Sequence, residues 1–274
     1  MSSYTSLADR NSADAAPAAP FRALFASLSG APLDFIKTAA AFFMVLDHWN
    51  TIILARGEVW LFRWGRIAFP LFCLAVAAHV VRDRDARGKS LSLLLVFAVA
   101  TQPFYSWAFQ TIFGNVLWTL AAAGAVAAFM PTLHPLLRHL LFAAGLAAFW
   151  LVPNYANAPS DYGIGGMLFP AAIALTAIVG PTYLPWVILY AGSVNAIPQV
   201  DMWAVFGGRA GAGWWVEPAI DAGFALIGSA AVVLVSLLFA GRPRFLPKYA
   251  LHAFYPGHIA LLAAIRTLLP LLPR

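Results

Sequence analysis

Charge is what this chain has least of. Of its 274 residues only 10% are Asp, Glu, Lys or Arg, while 62% are hydrophobic. A soluble domain covers its surface with roughly a quarter charged residues, so that class is excluded. Cysteine is nearly absent: the single Cys73 excludes an intrachain disulfide and, inside an apolar run, has a packing role. Histidines and acids nowhere cluster at ligand spacing, so no metal site is expected, and no P-loop or dinucleotide glycine pattern occurs. The glycines of DYGIGG, Gly163, Gly165 and Gly166, open a helix but follow no strand, so they make no nucleotide site. Short segments alternating apolar and polar residues are also missing, which disfavours a β-barrel.

What is present is a series of long apolar runs near the length of about 20 residues that carries a helix across a bilayer, with a mean hydropathy of +0.78. The pattern predicts an all-α fold, a polytopic integral membrane helical bundle of about nine transmembrane helices, in a range of eight to ten. The spans are roughly 33–54, 60–81, 90–109, 115–130, 138–152, 164–179, 182–198, 219–240 and 253–272. Residues 1–32, small, polar and proline-containing, read as a flexible cytoplasmic tail without the basic start and compact apolar stretch of a cleaved signal. Residues 33–274 form the membrane domain, and its first helix is an uncleaved anchor.

The 17 Lys and Arg outnumber the 11 acids, which in a membrane protein marks cytoplasmic loops rather than affinity for nucleic acid. RDRDARGK, LHPLLRH and GRPRFLPK all fall on one side of a nine-span bundle. That side is expected inside a bacterial inner membrane, with the N-terminus cytoplasmic and the C-terminus periplasmic. Two longer loops then face outward, the second carrying Trp203, Trp214 and Trp215 at the interface.

Ionisable residues inside the spans are the functional candidates, because a charge within a bilayer is costly. The first helix, LDFIKTAAAFFMVLDHWNTIIL, holds Lys37 and His48 eleven residues apart on nearly one face, roughly 16 Å along the axis. An imidazole exchanges protons near neutral pH, and Asp47 beside it could orient the ring or raise its basicity. Neighbouring helical residues diverge, however, so the partner of His48 could come from another helix. In WLFRWGRIAFPLFCL, Arg63 and Arg66 share a face and could bind an acidic group or stabilise an oxyanion, with Pro70 opening space for a ligand. The last span, from KYALHAFYPGHIALL, carries Tyr255 and His258 one turn apart near its inner end, with Pro256 near the helix start. Lys248, Arg242 and Arg244 precede it and could meet an anionic ligand from the cytoplasm. His79, His134, His139 and His252 flank basic loops and are expected at the interface.

Taken in order, LDFIKTAAAFFMVLDH, GRIAFPLFCL, FGNVLWTL, SDYGIGG and KYALHAFYPGHIALL make the chain resemble the TraX family, from about Leu33 to Leu262. The founding member of that family acetylates the N-terminus of F pilin. The family looks related to membrane acyltransferases that pass an acetyl group from cytoplasmic acetyl-CoA to an acceptor across the membrane. That group commonly has a basic residue eleven positions before a first-helix histidine, which Lys37 and His48 match with Lys in place of Arg. The resemblance implies catalytic roles for His48, Asp47 and Arg66, with His48 as general base or transient acetyl carrier. It implies acetyl-CoA held by Lys37, Lys248, Tyr255 and His258, and an acceptor met by Arg63, Asn115, Asp161 and Tyr162. The expected partners are the lipid bilayer, acetyl-CoA and a pilin amine or saccharide hydroxyl. A proton-coupled transporter of a small anionic solute is the alternative, though the internal repeats common in transporters are not detected.

Overall fold

A computed structural model of the chain describes residues 19–82, 87–151, 162–196 and 215–269. Helix α1 (Ala19–Ser27) meets α2 (Ala31–Ile52) at a 77° bend. There follow α3 (Val59–Gly65), α4 (Ala68–Arg82), α5 (Arg87–Phe109), α6 (Val116–Phe129), α7 (Pro135–Leu151), α8 (Gly163–Ile178), α9 (Leu184–Ala196), α10 (Val216–Ser236) and α11 (Ala250–Leu268). Every span expected from the sequence coincides with one of these helices, except 60–81, which is divided between α3 and α4.

Three segments are long and apolar enough to cross a membrane: Val59–Arg82, Gly88–Phe109 and Val216–Phe239. The bent pair α1–α2 makes a fourth if it forms one span. Helices α6, α7 and α8 are apolar but shorter. The protein is thus an all-α, multi-pass membrane protein, and helix length alone does not supply nine crossings. Of the short helices, α8 is the one its neighbours enclose, while α7 exposes Leu136, Leu140 and Leu151. α8 buries most of its side chains, from Gly163 to Ala177, because it packs against α4, α6, α7, α9 and α1. α5 and α10 instead expose Val96, Val99, Ile227 and Leu234, as suits lipid contact.

The tail expected to run to residue 32 ends earlier. Ala19–Ser27 is helical, Phe25 is buried, and Arg22 donates to the carbonyl of Ile178. The apolar run around Phe25 drives this, since it packs against α8 and α4. Residues 1–18 lie outside the described ones, as do Trp203 and Trp214, while Trp215 is exposed where α10 begins. Pro70 does not break the second span. It sits in the first turn of α4, where its missing N–H costs little, and the break falls at Arg66 and Ile67 just before. Pro256 is the opposite case: α11 starts at Ala250, so this proline lies inside the helix rather than at its entry.

Two ends of the bundle carry the polar groups. At the basic end, buried Asp34 accepts from the backbone N–H groups of Phe245 and Leu246, at 3.1 and 3.0 Å, and pairs with Arg244. This fixes the segment before α11 against the start of α2. At the opposite end α2 runs through a tight loop into α3, and the candidate site lies there.

Candidate functional site

Helices α2, α3, α4, α5 and α6 enclose a chamber of about 180 Å³ with an open side. Its wall includes Asp47, His48 and Thr51 from α2, Arg56 from the loop, Phe62, Gly65 and Arg66, and Phe69, Phe72, Tyr105 and Tyr162. The space is apolar on most sides, with the ionisable groups gathered along α2 and the α3–α4 break.

The α3 helix can approach α2 there because of Gly65. A Cβ at that position would stand 2.5 Å from the Cβ of Asp47 and 2.8 Å from its Oδ1. The close approach lets Arg66, at the end of α3, donate from Nη2 to Asp47 Oδ1 at 2.9 Å. Its guanidinium also rests on the Phe62 ring, 4.3 Å from the centroid. Arg66 is buried, and its Nε–H has no hydrogen-bond partner among the described residues. A buried N–H without a partner is costly, so an oxygen that reached it would be bound.

His48 has a partner from another helix, and it is not Asp47. Its Nδ1 lies 2.8 Å from Nε2 of His258 on α11, and the Nδ1 of His258 lies 3.1 Å from the carbonyl oxygen of Phe254. The carbonyl can only accept, so Nδ1 of His258 carries a hydrogen. In neutral His258, Nε2 is then a lone pair, and His48 must donate to it through Nδ1. The remaining nitrogen of His48, Nε2, is left as the basic one. The two rings are nearly parallel, 5.1 Å apart, and Phe109 meets His48 edge-on. Side chains of adjacent helical residues point about 100° apart, which is why Asp47 turns to Arg66 while His48 turns to α11.

The expected site residues thus divide. Asp47, His48, Arg66 and Tyr162 share the chamber, with Tyr162 stacked on Phe69 at 3.6 Å. Gly166 allows that stack, since a Cβ there would lie 2.5 Å from the Cβ of Tyr162. His258 and buried Tyr255, expected to hold a cofactor at the inner end, stand behind His48 instead. Arg63 is off the chamber wall. It pairs with Glu217 and, at 3.2 Å, with Asp221, tying α3 to α10. Asn115 is a helix cap rather than a chamber group: its Oδ1 accepts from Leu117 N at 3.0 Å, and its Nδ2 donates to Ala98 O and Gln102 Oε1. Asp161 lies outside the described residues.

Lys37 and Lys248 belong to the basic end, roughly 16 Å from His48 along α2 in the case of Lys37. Lys37 Nζ donates to Nε2 of His79 at 2.9 Å, and Arg82, Arg244 and His252 lie within electrostatic reach of that ring. The sequence had left His79 and His252 as interfacial residues. Lys248 is exposed, with its ammonium 5.1 Å from the Tyr249 ring centroid.

Two further residues were not expected. Buried Asn50 holds the loop after α2: its Nδ2 donates to Glu58 O at 2.9 Å, and its Oδ1 accepts from Glu58 N at 3.0 Å. Its backbone carbonyl takes the N–H of Arg56. This clamp keeps Ala55 and Arg56 at φ of 49° and 64°, a left-handed conformation costly by about 1–2 kcal/mol for each residue with a Cβ. It also brings Arg56 to the chamber wall. A second cavity, lined by Thr51, Ile52, Phe109, Ala108, Arg266 and others, shares Thr51 and Phe109 with the first.

Helices packed around buried guanidinium, carboxylate and imidazole groups define a multi-pass membrane protein with a polar chamber between its helices. Within that class the chain belongs to the TraX family: residues 32–266 match the family described as TraX protein. A Protein TraX of Escherichia coli is 28% identical over 233 residues, covering 85% of this chain and 86% of that protein. A Protein TraX of Escherichia coli strain K12 is 40% identical over 94 residues, 34% of this chain and 38% of that one. The probable fimbrial assembly protein FimC, serogroup H1, of Dichelobacter nodosus is 28% identical over 256 residues, 85% and 95% of the two chains. No solved structure matches the chain.

Proposed function

We propose that this protein is an integral membrane acetyltransferase of the bacterial inner membrane, passing an acetyl group from cytoplasmic acetyl-CoA to an amine or hydroxyl acceptor. TraX is associated with acetylation of F pilin, and membership of that family supports the class of reaction. The observation that carries the mechanism is the chain Phe254 O, His258, His48, which leaves Nε2 of His48 basic at the chamber wall. There it removes the proton from the acceptor N–H or O–H as the acceptor attacks the thioester carbonyl. The carbonyl oxygen takes up negative charge, and in this reading Arg66 binds it, a role supported by its unpartnered Nε–H. Collapse breaks the C–S bond, and the proton on His48 passes to the departing thiolate. The alternative order, with the acetyl group resting first on His48, uses the same nitrogen.

In this reading the basic end is cytoplasmic. Lys37, Arg82, Arg244 and Lys248 supply cations for the CoA phosphates, with the neutral rings of His79 and His252 beside them. The pantetheine arm runs between helices toward His48, and the acceptor enters from the opposite, periplasmic end past Tyr162. A pilin N-terminal amine and an envelope-glycan hydroxyl are the candidate acceptors.

The test has two parts. Pilins and envelope glycans from cells with and without the protein are compared by mass, where loss of one acetyl group identifies the acceptor. His48→Ala, reconstituted in proteoliposomes with acetyl-CoA and that acceptor, is expected to release no CoA above background while still unfolding in one cooperative transition. Normal turnover by His48→Ala would refute the mechanism. Uptake of a small anion without CoA would favour a transporter.

A further inference from the structure

The sequence points to Arg63 and Arg66 for an acidic ligand, yet both have carboxylate partners. Arg63 is held by Glu217 and Asp221, and Arg66 by Asp47. Arg56 is different. It lines the chamber, and among the described residues it forms no ion pair and no side-chain hydrogen bond. Its position is built rather than incidental: buried Asn50 spends both ends of its amide on Glu58, and its carbonyl on Arg56 N, to hold this exposed loop residue left-handed at the chamber wall. With His48 neutral, the chamber wall carries Asp47 against Arg66 and then Arg56 alone. One positive charge is left over.

We infer that the chamber takes an anionic ligand, a phosphate- or carboxylate-bearing acceptor, whose charge is held by Arg56 while its nucleophile faces His48. The inference rests on the acetyl-transfer reading for the word acceptor, and on geometry for the anion. A guanidinium at the rim fits a phosphate or carboxylate through two parallel N–H donors. That chemistry favours a phosphorylated or acidic saccharide over an uncharged one. A lipid headgroup phosphate offers the same group, and the experiment separates the two sources.

The full chain in a non-ionic detergent is followed by thermal unfolding with glucose 1-phosphate or glucose as probe. Glucose 1-phosphate is expected to raise the midpoint and glucose to leave it. Arg56→Gln is expected to weaken the response to glucose 1-phosphate at least tenfold, and Lys89→Gln, an exposed control at the other end, to leave it intact. An unchanged response in Arg56→Gln, or an equal response to glucose, overturns the inference. Coenzyme A is titrated in parallel. If it fails to bind while the Arg56-dependent response persists, the acetyl-transfer reading fails and the anion site stands. In nanodiscs, loss of the glucose 1-phosphate response on adding phosphatidylglycerol to phosphatidylcholine would give the site to a lipid headgroup and refute an acceptor role.

Discussion

Replacing His258 by phenylalanine isolates what that residue does for His48. Phenylalanine keeps an aromatic ring between Phe254 and His48, which His258 meets at 4.9 and 5.1 Å between centroids, so the packing of α11 on α2 is preserved. Two hydrogen bonds disappear, the 2.8 Å bond from His48 and the 3.1 Å bond to Phe254 O. At about 1 kcal/mol each the stability loss is about 2 kcal/mol, small enough for the bundle to remain folded. The effect on chemistry is more specific. An unmade buried hydrogen bond costs about 1–3 kcal/mol. In the native protein that cost disfavours the His48 tautomer lacking a hydrogen on Nδ1. Through the tenfold-per-1.4 kcal/mol relation it corresponds to roughly a 10- to 100-fold bias toward a basic Nε2.

His258→Phe removes the bias; with the hydrogen then shared between the two nitrogens, the competent tautomer falls from nearly all of the protein to about half, so kcat should fall about twofold with KM for acetyl-CoA nearly unchanged. His258→Gln restores it in part, because its amide oxygen accepts from His48 and its amide nitrogen donates to Phe254 O. Nitrogen-15 NMR of histidine-labelled protein reads the tautomer directly, with no need for an acceptor. The hydrogen of His48 is expected on Nδ1 in the native protein and in His258→Gln, and shared between the nitrogens in His258→Phe. If His258→Phe leaves the hydrogen on Nδ1, or if glutamine lowers kcat as far as phenylalanine does, His258 does not position the base.

Two more substitutions test the walls and the anchor. Gly65→Ala drives a methyl group into Asp47, 2.5 Å from its Cβ, and should cost about 1–3 kcal/mol while breaking the Arg66 pair; a thermal midpoint equal to the native one would show that α3 and α2 are not pressed together there. Asp34→Ala removes the acceptor for Phe245 N, Leu246 N and Arg244, and hydrogen bonds to a charged group are worth about 1.5–3 kcal/mol each. Faster hydrogen exchange confined to the segment before α11 is the expected result, and unchanged exchange there would remove Asp34 as its anchor.

Much of the fold was legible because bilayer-length apolar runs are a one-dimensional signal: each expected span but 60–81, which is divided between α3 and α4, landed on a helix. What that signal cannot carry is the difference between a helix surrounded by lipid and one surrounded by protein. α8 and α10 both carry long apolar runs, yet α8 is enclosed by neighbours and α10 exposes Ile227 and Leu234. The bend at Gly30 and the helix at Ala19–Ser27 were hidden for a related reason. They depend on what Phe25 can pack against, and α8 lies far along the chain.

The site was legible residue by residue and not pair by pair. An ionisable group inside a membrane run announces itself from composition, which found His48, Arg66 and His258, but its partner is chosen by helix rotation and packing. Adjacency in sequence suggested that Asp47 serves His48. The roughly 100° between neighbouring side chains sends the two to different helices, one to Arg66 and the other to His258. Arg56 was hidden more deeply, since a basic residue in a turn has the same sequence signature whether it faces water or a chamber. Its place on the chamber wall follows from the turn that Asn50 clamps by pairing with Glu58. Among the described residues of the chamber wall, the easily read Asp47 and Arg66 neutralise one another, whereas Arg56, which the sequence did not single out, has no carboxylate partner.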